Sequence, residues 1–113
     1  MIRLTLAAAV LLAAPAYAAD KKEASCKYQG QVMAAVQAAR LERVKLEEVE
    51  QTILDSEPEW PEEYSKAIPQ LAAHVYDMKR RDLRNVELGE VLEQQCLENW
   101  DQIQEMQKQL QSN

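Results

Sequence analysis

The chain has 113 residues, 19 acidic against 13 basic, for a formal charge of −6, and it holds two glycines, two cysteines, one histidine and no phenylalanine. Nucleic acids and anionic membrane surfaces would repel such a chain, so both are disfavoured as partners. Beyond the first residues, no stretch is long and apolar enough to cross a bilayer core of about 30 Å.

The N-terminal segment MIRLTLAAAVLLAAPAYAAD sets Arg3 ahead of an apolar run from Leu4 to Ala14, then Pro15 and the small-x-small triplet Ala16-Tyr17-Ala18. A base, a short apolar run and small residues in that order read as a secretory signal peptide, with cleavage after Ala18. Residues 1–18 are therefore expected to be lost, leaving one domain, 19–113, with 12 bases, 19 acids and a charge of −7. A lipid anchor would need a cysteine directly behind the apolar run, whereas Cys26 follows eight residues past the cleavage point. A periplasmic or secreted protein without stable membrane insertion is expected.

The rest of the chain is rich in Ala, Glu, Gln, Leu, Lys and Arg, a composition that favours helix. The first helical region is predicted over 22–43, with Tyr28, Val32, Val36 and Ala39 on one face. Arg43 interrupts that face, and Leu46, Val49 and Ile53 resume it, so that either the helix bends there or, the preferred reading, a second one follows over 46–55. Pro58 and Pro61 then remove two amide donors and mark a boundary. Pro61 suits a first helical position, and Glu62 and Glu63 suit the first turn, where they complement the helix dipole. Tyr64, Ile68, Leu71, Val75 and Met78 keep helical phase through Pro69, which predicts one helix over 61–84, kinked at that proline. Leu92, Cys96, Asn99, Ile103, Met106 and Leu110 predict a last helix over 87–111. The expected fold is all-α, a three- to four-helix bundle with short connections.

Cys26 and Cys96 are an even, minimal cysteine set in an exported chain, which reads as one disulfide. They lack the Cys-x-x-Cys spacing of a redox pair or a haem attachment site. Gly30 and Gly89 share helix faces with Cys26 and Cys96, so the bond is expected where two backbones run close. Parallel helices there would set Gly30 against Trp100. Alanines 34, 35, 38 and 39 would also allow close approach.

Signals for chemistry are sparse. His74 has Asp77 and Met78 one turn on, but zinc sites gather three or four ligands, and the cysteines are committed to each other. A haem site would need His74 with Met33 or Met106, and nothing in the spacing singles these out. There is no phosphate-binding glycine loop and no Gly-x-Ser-x-Gly elbow, and Ser25, Ser56, Ser65 and Ser112 have no paired histidine. Glu47/Glu48 and Glu62/Glu63 are adjacent in sequence and point to different sides of a helix, unlike a desolvated acid–base pair. No enzyme activity, cofactor or metal is expected.

Charge is distributed unevenly. Eight acids and no base lie between Leu46 and Ser65, within which the stretch PEWPEEY embeds Trp60 and Tyr64. Lys79, Arg80, Arg81 and Arg84 then form a basic cluster interrupted by Asp82. Two roles suit the aromatic pair. The rings can cover the open end of the bundle; alternatively, with a partly exposed Trp60, they can anchor a partner that Glu57, Glu59, Glu62 and Glu63 steer.

In size, export, helical content and one long-range disulfide the chain is similar to the acid-activated periplasmic chaperones, though no run of residues matches theirs and no site is carried over. The resemblance implies a switch: protonating 19 acids would leave at least 12 positive charges, whose repulsion would open the bundle. The leading expectation is a non-enzymatic exported protein that binds another protein as inhibitor, protector or adaptor. The alternative is a stress chaperone, with a metal or haem carrier as a remote third reading.

Overall fold

A computed structural model describes residues 13–112. Among these are six α-helices and no strand: α1 (Ala13–Leu41), α2 (Val49–Asp55), α3 (Ile68–Val75), α4 (Arg80–Leu83), α5 (Leu88–Glu98) and α6 (Trp100–Ser112). Short 3₁₀ turns, Leu46–Glu48 and Glu62–Ala67, lead into α2 and α3. The all-α bundle is as expected, and no helix of the described residues is long and apolar enough to cross a membrane. Residues 1–12 of the expected signal peptide lie outside the described residues. Helix α1 already includes Ala13 to Lys21, ahead of the predicted start at residue 22, a stretch whose alanines are strong helix formers.

The α1 helix is the spine of the bundle. One face carries Val32, Val36 and Ala39 into a core shared with Val49, Ile53, Ile68, Ala72, Val75 and Leu83. Another face carries Cys26 and Gly30 against α5, the most extensive helix pairing in the fold. Cys26 and Cys96 are bonded, with Cα atoms 5.5 Å apart. Gly30 meets Gly89: a Cβ added to Gly30 would lie 2.7 Å from the Gly89 carbonyl oxygen, and one added to Gly89 would lie 2.5 Å from that of Gly30. Residue numbers rise along α1 as they fall along α5, so the helices are antiparallel and Gly30 faces Gly89, not Trp100. Gly89→Ala is expected to cost about 1–3 kcal/mol in chemical denaturation despite the higher helix propensity of alanine, because the atom it meets is backbone and has nowhere to go. An unchanged or higher midpoint would show that the two backbones can part freely.

Helix α1 ends where Arg43 breaks the apolar stripe. Arg43 takes φ 67°, the left-handed conformation of a residue that closes a helix. The Val44 amide donates to the Ala39 carbonyl at 3.0 Å and the Arg43 amide to that of Arg40 at 3.1 Å, the two bonds of a Schellman cap. Of the resumed stripe, Val49 and Ile53 are buried, but Leu46 is 46% exposed on its 3₁₀ turn.

Four further features differ from the sequence expectation. Pro61 is extended (φ −61°, ψ 144°) and precedes the 3₁₀ turn instead of opening a helix. Pro69 does not kink a long helix; it stands in the first turn of α3, where its missing donor has no intrahelical acceptor anyway. The 61–84 segment breaks after Val75, and extended Lys79 separates α3 from α4. The stripe stays in phase because Ile68 and Val75 are buried while Tyr64, Leu71 and Met78 pack at the core edge. The last predicted helix is interrupted at Asn99, whose side-chain amide bonds the Gln95 carbonyl at 2.9 Å and competes with the helical ladder. Beyond it the apolar stripe is not buried: Met106 is 56% and Leu110 75% exposed.

Gln37, a polar residue that periodicity passes over, fixes the α4–α5 connection. Its Nε2 donates to the Leu83 and Val86 carbonyls at 2.7 and 2.8 Å, and its Oε1 accepts from the Leu88 amide at 3.0 Å. That last bond satisfies an amide of the first turn of α5, which has no acceptor in its own helix.

Candidate interaction surface

The acidic-aromatic segment joins α2 to α3 and folds back over the Cys26 end of α1. Trp60 is only 9% exposed, which overturns the partly exposed Trp60 expected of a partner anchor. Its indole Nε1 donates to the hydroxyl of buried Ser65 at 2.9 Å, so the ring's one polar group is satisfied internally. Five residues separate the two, a span closed by the turn that the prolines and the 3₁₀ segment impose. Tyr64 is half-buried; its ring packs on Tyr28 with centroids 5.3 Å apart, and its hydroxyl lies 3.1 Å from Ser25 Oγ. Trp60 and Tyr64 therefore close the bundle.

The carboxylates have the opposite environment. Glu57, Glu59, Glu62 and Glu63 are all exposed. Among the described residues the one ion pair within 4.0 Å is Arg81–Asp82, so none of the four is neutralised by a salt bridge. Glu57 takes φ 53°, the left-handed position just past the end of α2, with its amide bonded to the Leu54 carbonyl at 3.1 Å. A shallow groove between α2 and the 3₁₀ turn is lined by Glu50, Leu54, Glu62, Glu63, Ser65 and Lys66. Leu54, 39% exposed, gives this groove an apolar floor that the sequence reading assigned to the rings. Its signal was an aliphatic residue one position past the buried Ile53, on the solvent side of α2.

Compared with protein-family models, curated proteins and solved structures, the chain matches none.

The other candidates are dispersed. His74 is exposed on α3, Met33 is buried in the core and Met106 lies on the exposed face of α6. Among the described residues no three or more His, Cys, Asp or Glu cluster closely enough to hold a metal ion. At the far end of α1, Arg40 Nη2 donates to the Met78 carbonyl at 3.0 Å, and its guanidinium lies 5.1 Å over the Tyr76 ring. The Tyr76 hydroxyl donates to the Val44 carbonyl at 2.7 Å. Burial pushes the Tyr76 phenol above its ordinary pKa, and the Arg40 charge offsets part of that rise.

Proposed function

We propose that the chain is a small, non-enzymatic protein of the cell envelope, exported by a cleaved leader, that binds another protein through the exposed carboxylates of Glu57, Glu59, Glu62 and Glu63, with Leu54 as the apolar contact. The observation that carries this reading is four unneutralised carboxylates on a segment pinned from beneath by Trp60–Ser65 and Tyr64–Ser25. A pinned segment loses little conformational entropy on binding, and an unpaired charge of one sign steers a basic partner into encounter. The disulfide is compatible with an oxidising compartment.

The test is in-cell crosslinking of the oxidised protein followed by mass spectrometry, with the four glutamates changed together to glutamine. One dominant partner captured by the native chain is expected to be lost by the variant, while stability moves by no more than about 0.5 kcal/mol per position, as for exposed substitutions. Retention of the partner by the variant would refute the assignment. The exposed apolar face of α6, with Met106 and Leu110, favours a stress chaperone as the second reading. That protein would suppress aggregation of many clients below about pH 4, where carboxylates protonate, and would show no dominant partner.

A further inference from the structure

The end of α1 remote from the acidic surface is basic. Arg40 and Arg43 at the close of α1 meet Arg80 and Arg84, which lie one turn apart on one side of the α4 segment. The contact is fixed by the Arg40–Met78 and Gln37–Leu83 hydrogen bonds, at 3.0 and 2.7 Å. Arg80 is held below its ordinary pKa first by the charge of Arg43, then by partial desolvation and the charges of Arg40 and Arg84, with no carboxylate acting against them. Glu42 and Asp82 are the nearest acids in sequence, and the one ion pair within 4.0 Å among the described residues joins Asp82 to Arg81. The Arg40 Nε is buried without a hydrogen-bond partner. Arg40, Arg43, Arg80 and Arg84 thus gather at one end of an acidic chain, and among the described residues none of them has a carboxylate within 4.0 Å.

The backbone points to the same place. A left-handed residue closing a helix is ordinarily glycine, which takes that conformation at no steric cost. The chain sets Arg43 there at the basic end and Glu57 there at the acidic one. Both ends therefore keep a charged side chain on backbone that a smaller residue would suit better. They are well separated: from Tyr28, beneath Tyr64, to Arg40 is about 18 Å along α1, roughly twice the screening length of physiological salt. The two charges do not neutralise each other within one molecule.

We propose that Arg40, Arg43, Arg80 and Arg84 form a docking patch for the acidic segment Glu57–Glu63 of a second copy of this chain. The inference rests on the acidic surface being a docking site, and it names the occupant. Guanidinium and carboxylate pair through two parallel N–H···O bonds, the geometry that favours arginine over lysine at such contacts. A membrane or a nucleic acid would meet the patch but repel the acidic remainder. A second copy supplies both halves, so a two-fold arrangement forms the contact twice.

The experiment is sedimentation of the mature, oxidised protein at about 20 mM and about 300 mM salt, conditions that differ several-fold in screening length. Concentration-dependent association at low salt, lost at high salt, is expected. Arg80→Glu with Arg84→Glu, and separately Glu59→Arg with Glu62→Arg, are each expected to weaken it by about tenfold or more. Mixed one to one, the two variants regain association, because each carries the complement of the other. All the changed side chains are exposed or half-exposed, and unchanged helical circular dichroism and melting confirm that each variant folds. A native chain that stays monomeric, a mixture no more associated than its components, or association that survives in both variants would overturn the proposal. A monomeric chain that still captures a different protein through Glu59 and Glu62 would overturn the second copy as occupant while leaving the acidic surface as a binding site.

Discussion

Replacing Cys26 and Cys96 together by alanine is expected to lower stability by about 4 kcal/mol, and with it the melting temperature by on the order of 20 °C. The bond closes a loop of sequence separation 70, so its removal returns a large conformational freedom to the unfolded chain. Both cysteines are also almost completely buried, at 0% and 4% exposure, so the loss includes packing. Alanine is the informative substitution, because two serines would add buried hydroxyls at a further cost of about 1–3 kcal/mol each wherever they found no partner. The check is urea denaturation of the native protein, oxidised and reduced, beside the double variant. Reduced protein and variant should agree within about 1 kcal/mol, since each lacks the bond and nothing else of comparable weight. A variant that melts within a few degrees of the native chain would mean that the α1–α5 packing holds without its covalent tie.

Trp60→Ala is expected to cost about 3–5 kcal/mol, the range for deleting a buried aromatic side chain. The indole sits at 9% exposure in the core cluster, and its removal leaves a cavity and strips buried Ser65 of its donor. Trp60→Phe separates these contributions: it keeps most of the apolar volume and loses the N–H, so a smaller cost of about 1–3 kcal/mol is expected from the orphaned hydroxyl. Thermal melts of both variants, read with partner capture, decide between the two roles the sequence offered for this ring. Full stability with lost capture would restore Trp60 as a contact residue; a large drop in melting temperature assigns it to closing the bundle.

The contrast between Trp60 and its neighbouring glutamates shows what was legible in the sequence. Apolar residues at helical spacing identified Val32, Val36, Val49, Ile53, Ile68 and Val75 as core, and all six are buried. The count of two cysteines in an exported-looking chain identified the bond. Both signals are local or compositional. What escaped was long-range and polar: Gln37 reaches carbonyls 46 and 49 positions away, and Ser65 is buried because an indole donates to it. Neither leaves a periodic mark. Pro69 and Asn99 misled for a related reason. Tyr64, Ile68, Leu71, Val75 and Met78 all reach the core or its edge although a 3₁₀ turn and a break interrupt their helix, so a continuous stripe does not guarantee a continuous helix. In the acidic segment, carboxylate exposure followed from charge, but the orientation of the ring between them depended on a partner that charge patterning does not reveal.

The crossing of Gly30 and Gly89 also bears on the order in which the chain assembles. The tightest helix pairing joins segments from opposite ends of the chain, so a reduced chain must close a loop of about 60 residues before that contact returns any stability, and such late, non-local pairing slows folding. Once Cys26 and Cys96 are joined, the encounter of α1 with α5 becomes a local event, and only the short middle helices have still to settle into the trough between them. Oxidation would then act as a clock: the bond sets when the bundle can form as well as how firmly it holds.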